Sequence, residues 1–421
     1  MVQFIKLNTI AAAAATASLC GLAIAHPGEA HDAEKHAREL ATRNLYATKM
    51  SRDLEKCYSH PGYLAAQKRA VERRSAMVER LRQLRGIDVT SKPLARRDED
   101  EWEEWIGVDH NKTGTASTDF DPSVVFASNA TCVVTPEQTV GPYFVAGEMI
   151  RSNVTEGQAG VPLHLEFQFI DTSTCEPITV EHMVDIWHCN ATGVYSGLDT
   201  MDQGGLDSTF ARGVQRTDSD GTVQFDTIFP GHYTGRATHI HLTTHMGATE
   251  LANGTYSGGV DDHIGQVYFD QDLRDLIETL EPYTANDMEV TQNEDDNIAP
   301  TGSSEDSDPI VEYTYLGASV EDGLLAWKVV GLDLTANYTD NATPAAYYRE
   351  GGGVANPDAN SGMPDGGGAP GGNGTMPGGP GANGTAPGNA TASAGTGTSG
   401  TADVVVSTAT SGAQRRFRLW W

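Results

Sequence analysis

Hydrophobic and polar positions change their spacing three times along the 421-residue chain. Behind Lys6, residues 10–22 form a short apolar core that ends in Ala23-Ile24-Ala25. A positive start, a brief apolar run and small residues at its close are the pattern of a secretory signal over residues 1–25. Residues 26–100 then read as a helical segment. Ala, Glu, Lys, Arg and Leu dominate from 30 to 87, and Ser59-His60-Pro61-Gly62 splits the stretch into the two helices of an αα-hairpin. Val71, Met77, Leu81 and Leu84 fall at roughly helical spacing, a stripe that needs a partner surface. From 101 to 349 the period shortens to that of strands. Residues 163–170 (LHLEFQFI) alternate by side-chain type, and 183–187, 222–225, 239–243 and 266–269 are further runs, with Asp220-Gly221 as a turn and a helix expected at 272–280. Many short strands without long helices between them predict a mainly β fold, an antiparallel β-sandwich core carrying the N-terminal helical segment. Residues 350–421 are rich in Gly, Pro, Asn and Thr, and 366–402 hold no charged residue. Such a stretch buries too little apolar surface to offset its ordering entropy and reads as a disordered, glycosylated tail.

Charge sharpens this division. Lys and Arg total 28 against 57 Asp and Glu, a formal charge of −29. Residues 26–97 carry 16 basic and 9 acidic side chains, net +7, whereas 98–421 are net −37. A basic segment joined to an acidic body predicts intramolecular docking or a propeptide removed at Arg96-Arg97; a solvated basic helix and a plain linker are the plainer alternatives. A polyanion gains nothing electrostatically from nucleic acid or an anionic membrane, and neither is expected as a partner.

Ten N-x-[ST] sequons, at Asn111, Asn129, Asn153, Asn190, Asn253, Asn337, Asn341, Asn373, Asn383 and Asn389, agree with a secreted, extracellular protein. Cys20 leaves with the signal. Cys57, Cys132, Cys175 and Cys189 then form an even set, readable as two disulfides with three pairings. The short separation favours Cys175–Cys189, which leaves Cys57–Cys132.

The chemistry concentrates between 185 and 241. His239 and His241 are two apart on a predicted strand, so period-two alternation puts both imidazoles on one face, suited to one metal ion. An H-x-H pair alone is more readily a core or surface pair than a metal site. The other nearby donors are Tyr195 and Tyr233 rather than the Cys or Glu of a zinc site. Tyrosinate is a hard anion whose phenol titrates near ~10, and only a strongly Lewis-acidic cation binds it near neutral pH. Fe(III) is the natural choice, and two tyrosinates with hydroxide would balance its charge.

On these residues the chain resembles the intradiol ring-cleavage dioxygenase family, of the catechol and protocatechuate type. The matching features are W-H-x-x-x-x-G-x-Y ending at Tyr195, Tyr233 after Pro230-Gly231, and Arg236-Ala237-Thr238-His239-Ile240-His241 against the pattern R-P-x-H-[IV]-H. T-P-E-Q-T-V-G-P-Y-F over 135–144 and G-Q-V-Y-F over 265–269 add to it, and the likeness spans about 130–300. The long acidic form resembles the extracellular fungal branch. What the resemblance implies is one non-haem Fe(III) per chain held by Tyr195, Tyr233, His239 and His241, with catechol-type substrate and O2 as reactants and a muconate-type diacid as product. Tyr233 would be the axial ligand that substrate displaces, Tyr195 and His239 would be equatorial, and His241 the second axial ligand. Arg236 would stabilise charge on the ring. Gln266 would line the pocket, with Gly141 and Pro142 shaping it. Helical N-terminal segments pair some relatives, which leaves a homodimer open.

Two departures stand out: Ala237 replaces the pattern's proline, and the loop from Tyr233 to His239 is short. His188, His232 and His245 lie near the site but match no ligand position, and satisfied or exposed histidines are expected there. Asn190 is expected on an exposed edge or unused. Two rival readings differ in metal content. One is a copper monooxygenase acting on polysaccharides through an N-terminal His26; the other is a wall or surface protein that keeps the fold without activity.

Overall fold

The computed structural model describes residues 49–50, 52–87, 108–113, 125–126, 131–132, 140–178, 181–200, 202–296, 298–299 and 308–359. All belong to one compact unit. The signal, Arg96-Arg97, His26 and most of the expected tail fall outside the described residues. Ten principal elements of strand build the body: β1 Pro162–Asp171, β2 His182–Trp187, β3 Arg212–Arg216, β4 Thr222–Ile228, β5 His239–Met246, β6 Val260–Tyr268, β7 Glu312–Tyr315, β8 Leu324–Leu332, β9 Ala346–Arg349 and β10 Gly352–Ala355. One sheet centres on β1 and β8, with β4 on the far edge of β1 and β7 on the far edge of β8. The second runs β6–β5–β2–β3. The second sheet is antiparallel throughout, but the central pair of the first, β1 with β8, is parallel, Leu163 lying opposite Leu324.

Alternation decides what faces what. Leu163, Leu165, Phe167 and Phe169 of β1 meet Val184 and Ile186 of β2, Ile240 and Leu242 of β5, and Val267 of β6 in one buried cluster between the sheets. The intervening residues must then point outward, and each outer face is covered by its own layer. On β5 those outward residues include His239 and His241, and both are buried. On β1 they include Glu166, which is also buried.

The cover over Glu166 is helix α1, Pro61–Arg85. It begins where the breaker predicts. His60 caps it by accepting the Gly62 amide at 3.2 Å, Pro61 needs no partner in the first turn, and Gly86 closes it at φ +66°. The predicted stripe holds in part: Val71 and Met77 pack half-buried beside the buried Leu81, but Leu84 is 71% exposed, and the fully buried face is Tyr63, Ala66, Ala70, Arg74, Val78 and Leu81. Small alanines allow close approach to the sheet, and the face turns on an ion pair rather than on its bulkiest apolar residues. Arg74 Nε donates to Glu166 at 2.7 Å, Arg73 Nε and Nη2 donate at 2.9 and 3.0 Å, and Gln224 adds 2.7 Å. Arg69 pairs with Asp220 at 2.8 Å, and the Arg74 guanidinium lies over Trp327. The basic segment docks on the acidic body within one chain. Among the described residues, no helix is long and apolar enough to cross a membrane.

The disulfide expectation is overturned. Cys57 bonds Cys175, 118 residues away, and Cys189 is a buried free thiol donating to Gly231 O at 3.3 Å. Cys175 belongs to the turn after β1, in the first sheet, whereas Cys189 follows β2 in the second. A short separation in sequence therefore crosses the sandwich. Cys57 instead packs with Met50 and Leu54 against Ile170 and Val329, beside Cys175. Cross-links closing long loops restrict the unfolded chain most, so Cys57→Ser is expected to cost about 2–4 kcal/mol. Urea unfolding checks it, and an unchanged midpoint would deny the clasp a stabilising role.

Strand pairing continues beyond residue 350. The strand β10 pairs with β9, which pairs in parallel with residues 145–146, and the Asn356 side-chain amide donates to Pro344 O at 2.7 Å. The expected helix near 272–280 forms as α2, Gln271–Glu278.

Candidate metal centre

The site lies on the outer face of the second sheet. Across the β5–β6 pairing, His239 sits opposite Tyr268 and His241 opposite Gln266, so strand register alone brings four polar side chains together. His239 Nδ1 donates to Ala237 O at 2.6 Å, which fixes the tautomer and leaves Nε2 as a lone-pair donor. The Nε2 atoms of His239 and His241 are 3.1 Å apart. Trp187, outward on β2, stacks flat on the His241 ring at 4.7 Å and 6°.

The two tyrosines arrive on loops. Tyr195 is held by its backbone: its N–H donates to Gln203 Oε1 at 2.7 Å and its carbonyl accepts from Gly204 N at 2.8 Å. The buried Arg212 donates to the next carbonyl, Ser196 O, from Nη2 at 2.7 Å. Tyr233 follows the Pro230-Gly231 turn, where glycine is required: a Cβ on Gly231 would lie 2.3 Å from Ala191 O. A tight turn over 233–236 takes up the short loop, Arg236 N donating to Tyr233 O at 3.3 Å. The Tyr233 hydroxyl lies 3.2 Å from His239 Nε2, and the Tyr195 and Tyr233 rings meet edge-on at 5.7 Å.

Burial pushes both phenols far above their usual range. For Tyr195 the neighbouring Tyr233 adds to the rise, and for Tyr233 the Arg236 charge opposes it. Neither ionises near neutral pH without a strong cation beside it. Arg236 is fully buried; burial works against its charge, but Asp296 more than compensates and keeps it protonated. Its Nε donates to Asp296 Oδ2 at 3.0 Å, and Nη2 to Gln266 Oε1 at 2.5 Å and Tyr268 OH at 2.8 Å.

The donor chemistry fits a hard, highly charged ion. Two imidazoles and two phenols converge, and the buried Tyr195 hydroxyl makes no hydrogen bond of normal geometry, with only a loose approach to the Tyr233 phenol. A polar atom is rarely left so unless a ligand satisfies it. No group of three or more His, Cys, Asp or Glu side chains is placed for a metal among the described residues, so the tyrosines are what make this a site.

Tyr195, Tyr233, His239, His241, Arg236 and Gln266 thus come together. Gly141, at φ +72°, and Pro142 are half-buried and do so indirectly, by delivering Tyr143 onto the cluster. Tyr143 stacks on Tyr195 at 4.4 Å and meets Tyr233 edge-on at 6.0 Å. Sequence reasoning passed over it, although it stands in the same G-P-Y-F run. Trp187, Tyr268 and Asp296 were also passed over; the first two could have been found from strand alternation, whereas nothing local marks Asp296. His188, His232 and His245 are buried and satisfied, bonding Thr227 and Cys189 O, Glu278 and Met288 O, and Asp261 and Tyr256 respectively. Asn190 is half-buried, its Oδ1 accepting from Thr192 and Val194 amides and its Nδ2 donating to Gln158.

Residues 140–274 match the family model Dioxygenase_C, described as Dioxygenase. An intradiol ring-cleavage dioxygenase from Tetranychus urticae is 31% identical, over 49% of this chain and 98% of that one, with a TM-score of 0.41. A catechol 1,2-dioxygenase from an Acinetobacter species is 20% identical, over 50% and 65%, at 0.32. A hydroxyquinol 1,2-dioxygenase from Pseudomonas putida is 18% identical, over 49% and 68%, also at 0.32. Among curated proteins, none matches significantly.

Proposed function

The chain belongs to the intradiol ring-cleavage dioxygenase family of oxidoreductases, which uses non-haem iron, and on that footing we propose that it is a secreted Fe(III) enzyme cleaving catechol-type aromatics between their hydroxyls, with O2, to muconate-type diacids. The observation that carries the proposal is the convergence of Tyr195, Tyr233, His239 and His241. Secretion is supported by the sequons and by a disulfide that an oxidising compartment favours.

In this reading the four side chains hold the ion. Bound Fe(III) would supply a Lewis acid strong enough to ionise the phenols and a chelated catechol, making the ring electron-rich towards O2. Tyr233 would be the residue whose oxygen takes a proton from the incoming diol. Arg236, fixed and water-excluded, offers preorganised positive charge where negative charge develops on the ring. Gln266 and Tyr268 hold its Nη2 edge in place. Trp187 closes the back of His241 to solvent.

A visible spectrum of the iron-loaded protein, with and without catechol under nitrogen, tests the reading. A broad tyrosinate-to-iron band that moves to longer wavelength on adding catechol is expected. A colourless protein that nonetheless binds iron would sink it in favour of a fold kept without activity, and copper at His26 would point to the polysaccharide reading.

A further inference from the structure

Asp296 is buried without any exposed edge, and its carboxylate is fully engaged. Oδ1 accepts from the amides of Ile298 at 2.6 Å and Ala299 at 2.9 Å. Oδ2 accepts from Arg236 Nε at 3.0 Å and from the Ala237 amide at 2.6 Å. The same Ala237 peptide accepts, through its carbonyl, the Nδ1 proton of His239 at 2.6 Å. One carboxylate therefore grips the cation that faces the substrate and, through a single peptide unit, the imidazole beside the metal. A proline at 237 could not take part, since it has no amide proton, and its Cδ would fall on the line to Oδ2.

We propose that Asp296 is a positioning residue that aligns Arg236 and His239 together through the Ala237 amide, a role that rests on the dioxygenase reading above. A buried ion pair serving stability alone would explain the Arg236 contact. It would not explain why the carboxylate also fixes the peptide that sets the His239 tautomer. Misalignment of either group should lower turnover more than substrate capture, because Arg236 acts on charge that appears during reaction.

The test compares wild type, Asp296→Asn, Asp296→Ala, Ala237→Pro and the Asp296→Ala/Ala237→Pro double variant. Iron-free proteins are melted; iron-loaded proteins are assayed for catechol turnover and for the tyrosinate-to-iron band. Asp296→Asn, which keeps an acceptor but loses the charge, is expected to fold, with kcat down ~10–100-fold, KM within a few-fold and the band displaced. Ala237→Pro should lower the melting temperature of the iron-free protein, and the double variant should melt higher than the sum of the two single shifts predicts, because the clash goes with the carboxylate. Strictly additive melting shifts, or Asp296→Asn with wild-type kcat and an unmoved band, would overturn the proposal. Should wild type itself lack both band and turnover, the dioxygenase reading fails, and the melting cycle still decides the Asp296–Ala237 contact separately.

Discussion

A Tyr195→Phe protein is expected to lose at least ~100-fold in catechol turnover while its iron-free form melts no lower than wild type. The two halves of that result come from one atom. The Tyr195 hydroxyl is buried and makes no hydrogen bond of normal geometry, with only a loose approach to the Tyr233 phenol, so without metal it is a modest burden. Phenylalanine removes the burden and keeps the ring that stacks on Tyr143 at 4.4 Å. With metal, the same oxygen is a ligand, and its loss costs iron affinity and colour. Iron content, oxygen uptake and calorimetry on matched samples decide the matter. Full activity with unchanged iron would make Tyr195 an ordinary core aromatic.

Glu166→Gln should cost about 3–5 kcal/mol, because it leaves the buried Arg74 guanidinium without its counter-charge while preserving shape. The pH dependence has a definite sign. Burial alone would raise the Glu166 carboxyl, but Arg74 and Arg73 outweigh it and hold it at about 2. An unfolded Glu titrates near ~4.3, so the folded state's advantage is complete above that pH and is lost as pH falls towards 2. Wild-type stability should decline across that window more steeply than that of Glu166→Gln, and the gap between them should be widest at neutral pH. Equal acid profiles for the two proteins would show that the helix is not held by this pair.

Much of the centre was legible because it follows from alternation. His239 and His241 share a face of any strand, and the tyrosines were identifiable from donor chemistry and motif. The charge imbalance between 26–97 and the rest announced the docking of α1. What escaped depends on partners distant in sequence. Asp296 is 60 residues from Arg236 and has no spacing to betray it. The Cys57–Cys175 bond joins a helical segment to a turn that only the folded sheet brings near. The buried face of α1 was legible only in part, because an arginine, ordinarily solvent-seeking, replaces an apolar residue where Glu166 awaits it. The parallel pairing of β1 with β8 could not be read either, since alternation is the same in both directions.

Helix α1 and the tyrosine–histidine centre cover opposite outer faces of the sandwich, with the shared core of the two sheets between them. Sheets packed face to face lie about 10 Å apart, near the distance beyond which substitutions without common partners combine additively. Durability and reactivity are thus separate adjustable properties of this chain. A tighter clasp or a better-packed helix can be introduced to lengthen working life without retuning the chemistry, and the aromatic cover can be varied for new substrates against a reserve of stability held on the other side.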